Sequence, residues 1–396
     1  MVISWFDLKH MARGGGGKGR SSVLAKRSRG ALLLLLIFSF IYVVHVYMAQ
    51  RNAPSFILES YRRFAGNTQP PLILDQLGGR WRESCWKLTC WKAKFLGKVI
   101  DALTKGTPVT TGMFSHLSFR CDNSKTTYYN QPLSSRLFKI SQGDICCFEQ
   151  YLTGLPQRNV SFVLVTHGHD HHGSPADLNT AASKCFRKIL EDDRINAYFV
   201  SQHRSNFRHP KLRFLPIGLG TGTLKIGLTT GEILALVERT RMTFTNSCER
   251  KLQCSIRAIE ANFNVAGKNS GEKRASSLAL LQRALNVSVQ NVYMQVNSSL
   301  TLERYAASAF VMSPAGTHHD CWRHHEALLM GAFPLVDEYH LLHKILPGLP
   351  VIYIKSWERM TRDDLFSKMD DIISADPPSA MPLTRAYWEE ELKSFL

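Results

Sequence analysis

The residues with the clearest chemical potential lie in one segment, 310–336, which reads FVMSPAGTHHDCWRHHEALLMGAFPLV. Its pattern predicts a strand that ends at Met312, a loop with Pro314 and Gly316, and a helix that begins near Asp320. Backbone N–H groups and the positive end of the helix dipole then face whatever lies beyond the strand, which favours an anion. The segment therefore predicts a binding site for a phosphate-bearing ligand.

Two side chains of the predicted helix fit such a ligand. Arg323 lies in the first helical turn, where its guanidinium can reach phosphate oxygens. Glu326 follows about 4.5 Å further along the helix axis, where a carboxylate can accept hydrogen bonds from both hydroxyls of a ribose. The spacing is equally compatible with an ordinary surface pair at positions i and i+3.

A second group of polar side chains, THGHDHH at 166–172, follows the apolar run SFVLV. A zinc hydrolase of the metallo-β-lactamase type needs the pattern H-x-H-x-D-H, with imidazoles for two metal ions. His167, His169 and His172 have the required offsets, but Asp170 comes one residue too early. The hydrolase is therefore the less favoured alternative, and we predict no metal site and no cofactor.

Short apolar runs alternate with helical patterns from residue 81 onward. Continuous apolar strands separated by helices are typical of parallel α/β sheets. The sequence therefore predicts two α/β units of comparable size, with a ligand site between them. The predicted strands are 161–168, 195–202, 212–219, 259–265, 291–296, 310–312, 333–336 and 351–354. The predicted helices are 177–190, 231–240, 272–285, 301–308, 320–330 (stopped by Gly331) and 362–374.

The pattern Ser313-Pro-x-Gly316-x3-Asp320-x2-Arg323-x2-Glu326-Ala-Leu-x2-Gly331-x2-Pro334-x-Val336 resembles the C-terminal signature of exostosin-like glycosyltransferases. Weaker similarity extends to Asn262-Phe-Asn264 with Arg274, and to His209-Pro-Lys211 with Pro216-Ile-Gly218. The resemblance implies a GT-B fold, in which two Rossmann-like domains face a cleft, and a type II membrane protein of the Golgi or endoplasmic reticulum. It also implies a nucleotide-sugar donor, a UDP-sugar, an inverting transfer and no catalytic metal.

The resemblance further implies roles for individual residues. Gly316, Thr317 and Arg323 would hold the diphosphate and Glu326 the ribose, with Asp320 in the same donor-binding set. Ala315 stands where the family has an arginine, and His318 and His319 replace smaller residues. Protonated histidines at 318, 319, 324 and 325 could supply the missing positive charge.

An inverting transfer also needs a general base that takes the proton of the acceptor hydroxyl. The loop after 161–168 lies at the carboxyl end of a predicted strand, which in this fold faces the cleft where the acceptor glycan or glycoprotein binds. Asp170 or His169 is the candidate base. The alternatives are a polar loop without a catalytic part, and a non-catalytic luminal glycan-binding protein on the same fold.

The chain has 396 residues and a net charge of +17, with a globular content of apolar residues. These values exclude a wholly disordered chain and a small disulfide scaffold. Residues 31–49 lack formal charge and follow a basic leader, which predicts a membrane-spanning signal anchor with the following residues in the lumen. A cleaved signal peptide is the rival interpretation. In that compartment the positive charge favours anionic small ligands or acidic glycans, and we predict no nucleic-acid partner.

The cysteines and the N-glycosylation sequons after the anchor agree with a location in the lumen. All nine cysteines follow the anchor, which predicts disulfides with at least one thiol left over. Asn159, Asn286 and Asn297 lie in N-glycosylation sequons. The basic residues 204, 208, 211 and 213 could bind an anionic acceptor, although a solvated face is the favoured interpretation.

The predicted segments are a cytosolic tail (1–30), the anchor (31–49), a stem (50–80), an acceptor-side α/β domain (81–242), a nucleotide-sugar-binding α/β domain (243–378) and a C-terminal helix (379–396).

Overall fold

A computed structural model of the chain gives the arrangement of most residues from Gly79 onward, all within one compact unit, Pro70–Leu396. The predicted anchor and nearly all of the predicted stem lie outside the described residues. Within the part of the chain that is described, no helix is both long and apolar enough to span a membrane. The described residues are 79–110, 114, 117–119, 136–155, 160–167, 181–201, 207–220, 228–252, 256–265, 271–286, 289, 291, 298–316 and 318–396.

Strands and helices alternate along the described residues, which confirms the predicted α/β class. The strands are β1 (Ser118–Phe119), β2 (Leu137–Ile140), β3 (Phe162–Thr166), β4 (Ile195–Val200), β5 (Leu212–Phe214), β6 (Arg257–Ala261), β7 (Ser308–Met312), β8 (Phe333–Asp337) and β9 (Ile352–Ile354). The helices are α1 (Gly79–Lys105), α2 (Ile145–Gly154), α3 (Ala181–Glu191), α4 (Thr230–Glu249), α5 (Gly271–Leu285), α6 (Ser298–Ala306), α7 (Trp322–Leu329), α8 (Leu342–Ile345), α9 (Arg362–Ser374) and α10 (Arg385–Lys393).

The first sheet contains β1 to β5, all parallel, and the order of the strands across the sheet follows their order in the chain. Side chains of successive strand residues point to opposite faces. Leu164 and Tyr198 therefore pack against α2 and α3 on one face. Val163 and Phe199 pack on the other face, against residues that include Trp388 of α10. Both faces are covered, which explains the continuous apolar character of β3 and β4.

The second sheet contains β6 to β9, also parallel and in chain order. Ala261 of β6 forms a further parallel bridge to Asn291, on the side of β6 away from β7. The chain therefore leaves β6 in one direction, pairs at Asn291, and returns to the opposite side of β6 as β7. Such a reversal is a topological switch point, where the connections diverge and leave a crevice at the carboxyl ends of the strands.

The two terminal helices pack on the sheets that lie further from them in the chain. Apolar residues of α1, such as Trp91 and Phe95, join the core of the second sheet around Phe310 and Phe333. Helix α10 covers a face of the first sheet instead. The ammonium group of the fully buried Lys92 donates hydrogen bonds to the carbonyls of Ala306 (2.5 Å) and Ser308 (2.8 Å) and so ties α1 to the start of β7.

Disulfides hold both halves of the described structure. Cys90 of α1 is bonded to Cys248 near the end of α4, and Cys146 of α2 is bonded to Cys185 of α3. These bonds confirm the prediction of disulfides. Among the described residues, Cys321 is a free cysteine.

Most predicted strands and helices overlap observed ones. Of the predicted strand 291–296 only residue 291 lies in the described part of the chain, and the sequence prediction has no counterpart of α1, α2, α8, β1 and β2. Three further differences concern the predicted segment bounds. Helix α4 runs through residue 242, where the sequence predicts a boundary between domains, and on to Glu249, where a Cys90 disulfide and packing on α1 stabilise its last turns. Helix α1 begins at Gly79, so the last two residues of the predicted stem are helical. The predicted C-terminal helix is shorter than 379–396, because the chain first forms a 3-10 turn at Met381–Leu383.

Candidate functional site

The candidate site lies at the switch point of the second sheet, beyond the carboxyl ends of β6 and β7. The segment 262–265 leaves β6, and the predicted phosphate-binding loop, Ser313 to Gly316, leaves β7. Helix α7 follows this loop and ends before Gly331, whose φ of 69° is the left-handed conformation of a helix C-terminus, as predicted. The topology therefore brings two loops and two helix N-termini, those of α5 and α7, to one crevice.

Backbone hydrogen bonds fix the loop after β7. The N–H of Ala315 donates to Oδ2 of Asp337 (2.5 Å), at the end of the neighbouring strand β8. The indole N–H of Trp357 donates to the other oxygen of Asp337 (2.6 Å) and holds that carboxylate in place. The N–H of Gly316 donates to the carbonyl of His318 (3.0 Å), which tightens the turn toward α7.

The exit of β6 is fixed by an amide side chain. Asn291 accepts a hydrogen bond from the N–H of Phe263 (3.2 Å) and donates one to its carbonyl (2.7 Å), as a neighbouring strand would. The side-chain amide of Asn262 donates to the hydroxyl of Thr301 (3.1 Å). These bonds set the directions of the Phe263 ring and of the Asn264 carbonyl, which both contact arginines of the site.

Arg274, in the first turns of α5, reaches across the crevice to the loop after β7. A Cβ atom added to Gly316 would overlap the Arg274 guanidinium, so only glycine allows this approach. The same guanidinium donates to the carbonyl of Asn264 (3.4 Å). Arg274 therefore links the two loops and brings a fixed positive charge to the predicted phosphate site.

Arg323 brings a second guanidinium to the same place. It is the second residue of α7, as predicted, and its guanidinium lies 5.5 Å from the centroid of the Phe263 ring. Its hydrogen bond to the carbonyl of Pro314 is long, at 3.5 Å, and its buried Nε has no hydrogen-bond partner within the described structure. Buried polar groups are normally satisfied, so Arg323 has unused capacity to bind an anion.

Glu326 and its surroundings form the inner part of the site. Glu326 is buried, one helical turn beyond Arg323. Burial, and then the nearby charge of Glu326, raise the pKa of Tyr305 well above its usual value. The buried Tyr305 hydroxyl has no hydrogen-bond partner among the described residues. Thr317 lies outside the described residues, so its assignment to the diphosphate stays a prediction.

Asp320 directs its carboxylate into the protein. Oδ2 accepts the backbone N–H of Ile217 (2.5 Å), which follows the first sheet, and Oδ1 accepts a bond from Nε2 of His325 (3.2 Å). Nδ1 of His324 lies 3.6 Å from Oδ1. This geometry makes Asp320 a positioning residue that joins the loop after β5 to the start of α7. A direct contact with a donor stays a prediction.

The histidines of the site are committed to protein contacts. Burial would lower the pKa of His324, but the nearby Cys321 and Asp320 raise it to about 10, and its Nε2 donates to the carbonyl of Ser313 (3.2 Å). Burial would raise the pKa of Asp320, but His325 and His324 hold it well below its usual value. His319 stacks on Tyr339, with ring centroids 3.9 Å apart. In the described structure the charge nearest to Gly316 is therefore that of Arg274.

The first histidine of the THGHDHH segment also has a positioning contact. Nε2 of the buried His167 donates to the carbonyl of Pro216 (2.9 Å). The N–H of the same peptide group, on Ile217, donates to Asp320. One peptide group therefore connects the end of β3 to the start of α7.

Several other predicted residues lie outside the described part of the chain. These include both candidates for the general base, His169 and Asp170, and the sequon asparagines Asn159 and Asn297. Asn286 is described and exposed, at the turn after α5. Their proposed roles stay predictions.

Arg274 and Tyr305 are site residues that the predicted set did not include. A signal existed for Arg274, because it lies in the first turn of a predicted helix that follows a predicted strand, as Arg323 does. No comparable signal exists for Tyr305, since its place beside Glu326 depends on how α6 packs against α7.

No protein-family model matches the chain, and no curated protein matches it. Among solved structures, the chain is similar to a chain in the crystal structure of a GtfA/B complex, with 11% sequence identity and a TM-score of 0.26. That match covers 70% of this chain and 64% of the other. A likeness of this size carries no argument, so functional inference rests on the residues of the site.

Proposed function

We propose that this chain is a glycosyltransferase that moves a sugar from a nucleotide-sugar donor, a UDP-sugar, to a glycan or glycoprotein acceptor. The observation that carries the proposal is the convergence of Arg274 and Arg323 on the loop at Gly316, in the crevice of the second sheet. Two guanidinium groups beside a glycine-containing loop and a helix N-terminus match the needs of a diphosphate.

The proposed chemistry follows from the charge that develops during transfer. As the bond between sugar and diphosphate breaks, negative charge grows on the leaving phosphate oxygen. Arg274 and Arg323, held by the loop contacts described above, stabilise that charge without reorganisation. Glu326 would accept the hydroxyls of the nucleoside ribose. Arg274 would also supply the positive charge that the family takes from an arginine at the position of Ala315, because the Arg274 guanidinium lies against Gly316, the next residue of the loop.

The acceptor side of the reaction rests on the sequence. An inverting displacement requires a base opposite the leaving diphosphate, and Asp170 or His169 would take the acceptor proton. Both follow β3, whose carboxyl end is tied through the Pro216–Ile217 peptide to Asp320. This connection supports a common cleft for the two sets of residues, as in an exostosin-like enzyme of the GT-B type.

The proposed location is the Golgi or endoplasmic reticulum membrane, with a single type II anchor at 31–49 and the α/β domains in the lumen. The two disulfides support a compartment of this kind, because such bonds persist in oxidising environments. No cofactor is part of the proposal.

Nucleotide binding by the full-length protein tests the proposal. Calorimetric titration with UDP, GDP and CMP should give a clear signal for UDP. Each of Arg274→Ala and Arg323→Ala should weaken UDP binding about 10- to 100-fold, because each removes a charge-assisted contact worth about 1.5–3 kcal/mol. Arg283→Ala is the matched control, since Arg283 is an exposed arginine in the last turn of the same helix as Arg274.

Transfer is then measured as release of UDP from UDP-sugars in the presence of glycan acceptors. Absence of nucleotide binding in the unmodified protein would refute the proposal. Binding that is unchanged in both arginine variants would refute the assigned site. Nucleotide binding without any transfer would favour a non-catalytic glycan-binding protein on the same fold.

A further inference from the structure

One cysteine in the described part of the chain stays outside the disulfides, and it lies at the candidate site. Among the described residues, every cysteine except Cys321 is disulfide-bonded. Because disulfides persist where thiols are oxidised, a thiol left over in such a chain is a candidate for reaction. Cys321 is partly exposed, so burial does not seal it from small reagents. The bonded cysteines are Cys85, Cys90, Cys146, Cys147, Cys185 and Cys248.

The sulfur of Cys321 lies between the end of β7 and the start of α7. Its Sγ is 3.2 Å from Oγ of Ser313, the first residue after β7. Cys321 is also the N-cap residue of α7. A group attached to this sulfur would therefore come between the loop after β7 and the N-terminus of the helix, where the diphosphate is proposed to bind.

Positive charge surrounds the same sulfur. Arg323 and His324 follow Cys321 in the first turn of α7, where the helix dipole also favours a negative group. Burial would raise the pKa of the Cys321 thiol, but the charges of Arg323 and His324, and then hydrogen bonds from His324 and Ser313, hold it well below its usual value. Cysteines that are partly exposed and lie at a helix N-terminus beside cations are the reactive ones in proteins.

A second side chain indicates, independently of the thiol, that this turn receives an anion. Arg323 is only 9% exposed, and its Nε has no hydrogen-bond partner within the described structure. Its guanidinium reaches the carbonyl of Pro314 at 3.5 Å, whereas the Cys321 sulfur contacts the preceding residue, Ser313. The unsatisfied cation and the thiol therefore flank the same two residues of the loop.

We propose that Cys321 is a modification site, which exchanges with a small anionic disulfide and then blocks the donor site. The Cys321 thiolate attacks one sulfur of the reagent, so that a new S–S bond forms and the old one breaks. The other half of the reagent leaves as a thiolate and takes a proton from water. Cys321 is oxidised and the leaving sulfur is reduced, so no further oxidant takes part. A carboxylate of the reagent would bind Arg323.

The mixed disulfide would change the donor site in two ways. It removes the negative charge that lies beside Arg323 and His324, and it places a bulky group at the N-terminus of α7. A bound diphosphate would in turn cover the sulfur and slow its reaction. The block of the donor site rests on the proposed function, because it takes this site to bind a nucleotide diphosphate.

Exchange with oxidised glutathione, an anionic disulfide, tests the thiol in the full-length protein. Peptide mass spectrometry should find glutathione on Cys321, and excess reduced glutathione should remove it. The rate should change less than about twofold between pH 7 and 9, because a thiol with a lowered pKa is already ionised. Over this interval His324, with a pKa of about 10, and Tyr305 stay protonated, and Asp320 stays ionised.

The same residue in the urea-unfolded protein is the matched control for this pH profile. Its rate should rise about 25-fold between pH 7 and 9, as expected for a thiol with a pKa near 8.5. The neutral bis(2-hydroxyethyl) disulfide tests the preference for an anion. With each rate divided by that of the unfolded control, oxidised glutathione should react about two- to fivefold faster than the neutral reagent. Arg323→Gln should remove this difference.

UDP titration before and after modification tests the block of the donor site. UDP affinity of the unmodified protein should fall at least about tenfold after exchange, and saturating UDP should slow the exchange. Cys321→Ser keeps a hydroxyl at the N-cap and should show neither modification at this position nor any effect of oxidised glutathione on UDP affinity.

A native Cys321 that stays unmodified while the unfolded control reacts fully would overturn the inference, as would an ordinary pH profile in the native protein. Modification that leaves UDP affinity unchanged would overturn the block and leave the proposed function standing. A native protein that binds no UDP would refute the proposed function. Cys321 that still reacts with the expected pH profile would then be a modification site of another purpose.

Discussion

The carboxyl ends of the two sheets differ in a way that separates binding from positioning. In the first sheet, strand order follows the chain, so successive connections run in the same direction across it. In the second sheet, β6 to β9 also follow the chain, but the bridge from Ala261 to Asn291 places a residue that lies between β6 and β7 in the chain on the far side of β6, so the connections diverge there. Only a divergence of this kind leaves a crevice flanked by two helix N-termini. Topology therefore predicts an anion site in the second sheet.

The side chains at the carboxyl ends of the two sheets agree with this difference in chain connections. The crevice of the second sheet holds Arg274 and Arg323, and the latter has a buried nitrogen without a hydrogen-bond partner among the described residues. The end of β3 holds His167, whose Nε2 is bonded to a backbone carbonyl. Asp320 joins the two regions through the Pro216–Ile217 peptide.

The largest effect is expected when this connection is broken. Asp320→Ala leaves the Ile217 N–H, His325 and His324 without their buried carboxylate. Loss of one partner of a buried charge pair costs about 3–5 kcal/mol. Urea unfolding of the variant should show a loss of that size, whereas Asp363→Ala, at an exposed position of α9, should change stability by less than about 0.5 kcal/mol. A loss below about 1 kcal/mol in Asp320→Ala would contradict the linking role.

Gly316→Ala should damage binding and spare stability. Its Cβ would displace the flexible Arg274 guanidinium, so UDP affinity should fall about 10- to 100-fold while the free energy of unfolding changes little. Gly154→Ala is the control in the first-sheet half, because a Cβ there meets nothing within 4 Å. In an Arg274→Ala background, Gly316→Ala should have almost no further effect, since both changes remove the same contact. Additive losses would show that Arg274 does not act at Gly316.

His167→Ala should lower stability and leave nucleotide affinity nearly unchanged, which is the opposite of the effect expected for Gly316→Ala. The change leaves the buried Pro216 carbonyl without its donor, which costs about 1–3 kcal/mol of stability. UDP affinity should stay within about twofold of that of the unmodified protein, as judged by calorimetric titration. A large loss of affinity with unchanged stability would place His167 in the binding machinery and remove the contrast between the two sheets.

The smallest effect concerns pH. The pKa of His324 is about 10 in the folded protein against 6.5 for a free side chain, so its stabilising contribution is complete below pH 6.5 and is lost as pH rises through 10. The lowered pKa of the adjacent Cys321 offsets the proton held by His324 near neutral pH, so the stability advantage of the unmodified protein over His324→Gln should change little there and shrink as pH rises toward 10. Asp320 stays ionised throughout that range, because its pKa is lowered.

Lys92 provides a control, because its contribution to stability should change with pH in the opposite direction. Burial lowers its pKa from 10.5 to about 7, so the unfolded chain holds its proton more readily over that interval. Relative to Lys92→Met, the unmodified protein should gain stability as pH rises from 7 to 10.5. Urea unfolding at several pH values checks both trends. Two pH-independent differences would refute the assigned protonation states.

Local sequence patterns predict the strands and helices better than they predict which segments contact one another. Apolar runs predict β3, β4 and β7, and helical spacing predicts α9 with its observed bounds, because these signals depend on neighbouring residues. The position of Arg323 in the first turn of α7 follows from the same local pattern. The approach of Arg274 to Gly316 and the inward direction of Asp320 depend on contacts between distant segments, which periodicity does not encode.

Helix α1 shows the same limit. Its buried residues Leu88, Trp91, Phe95 and Val99 recur at helical spacing, so an amphipathic helix is readable from the sequence. Its packing on the second sheet is not, since that sheet begins only at Arg257. For the same reason the domain boundary predicted at residue 242 falls inside a helix, because α4 packs with α1 on the core of the second sheet.

Helix α1 packs on the second sheet and helix α10 on the first, and this arrangement affects folding during synthesis. Synthesis at roughly 5–20 residues per second delivers α1 first, well before the sheet against which it packs. The first sheet emerges before Arg385–Lys393, the helix that covers one of its faces. Helix α1 must therefore wait for the second sheet, and the first sheet must wait for α10, before either can bury its apolar face.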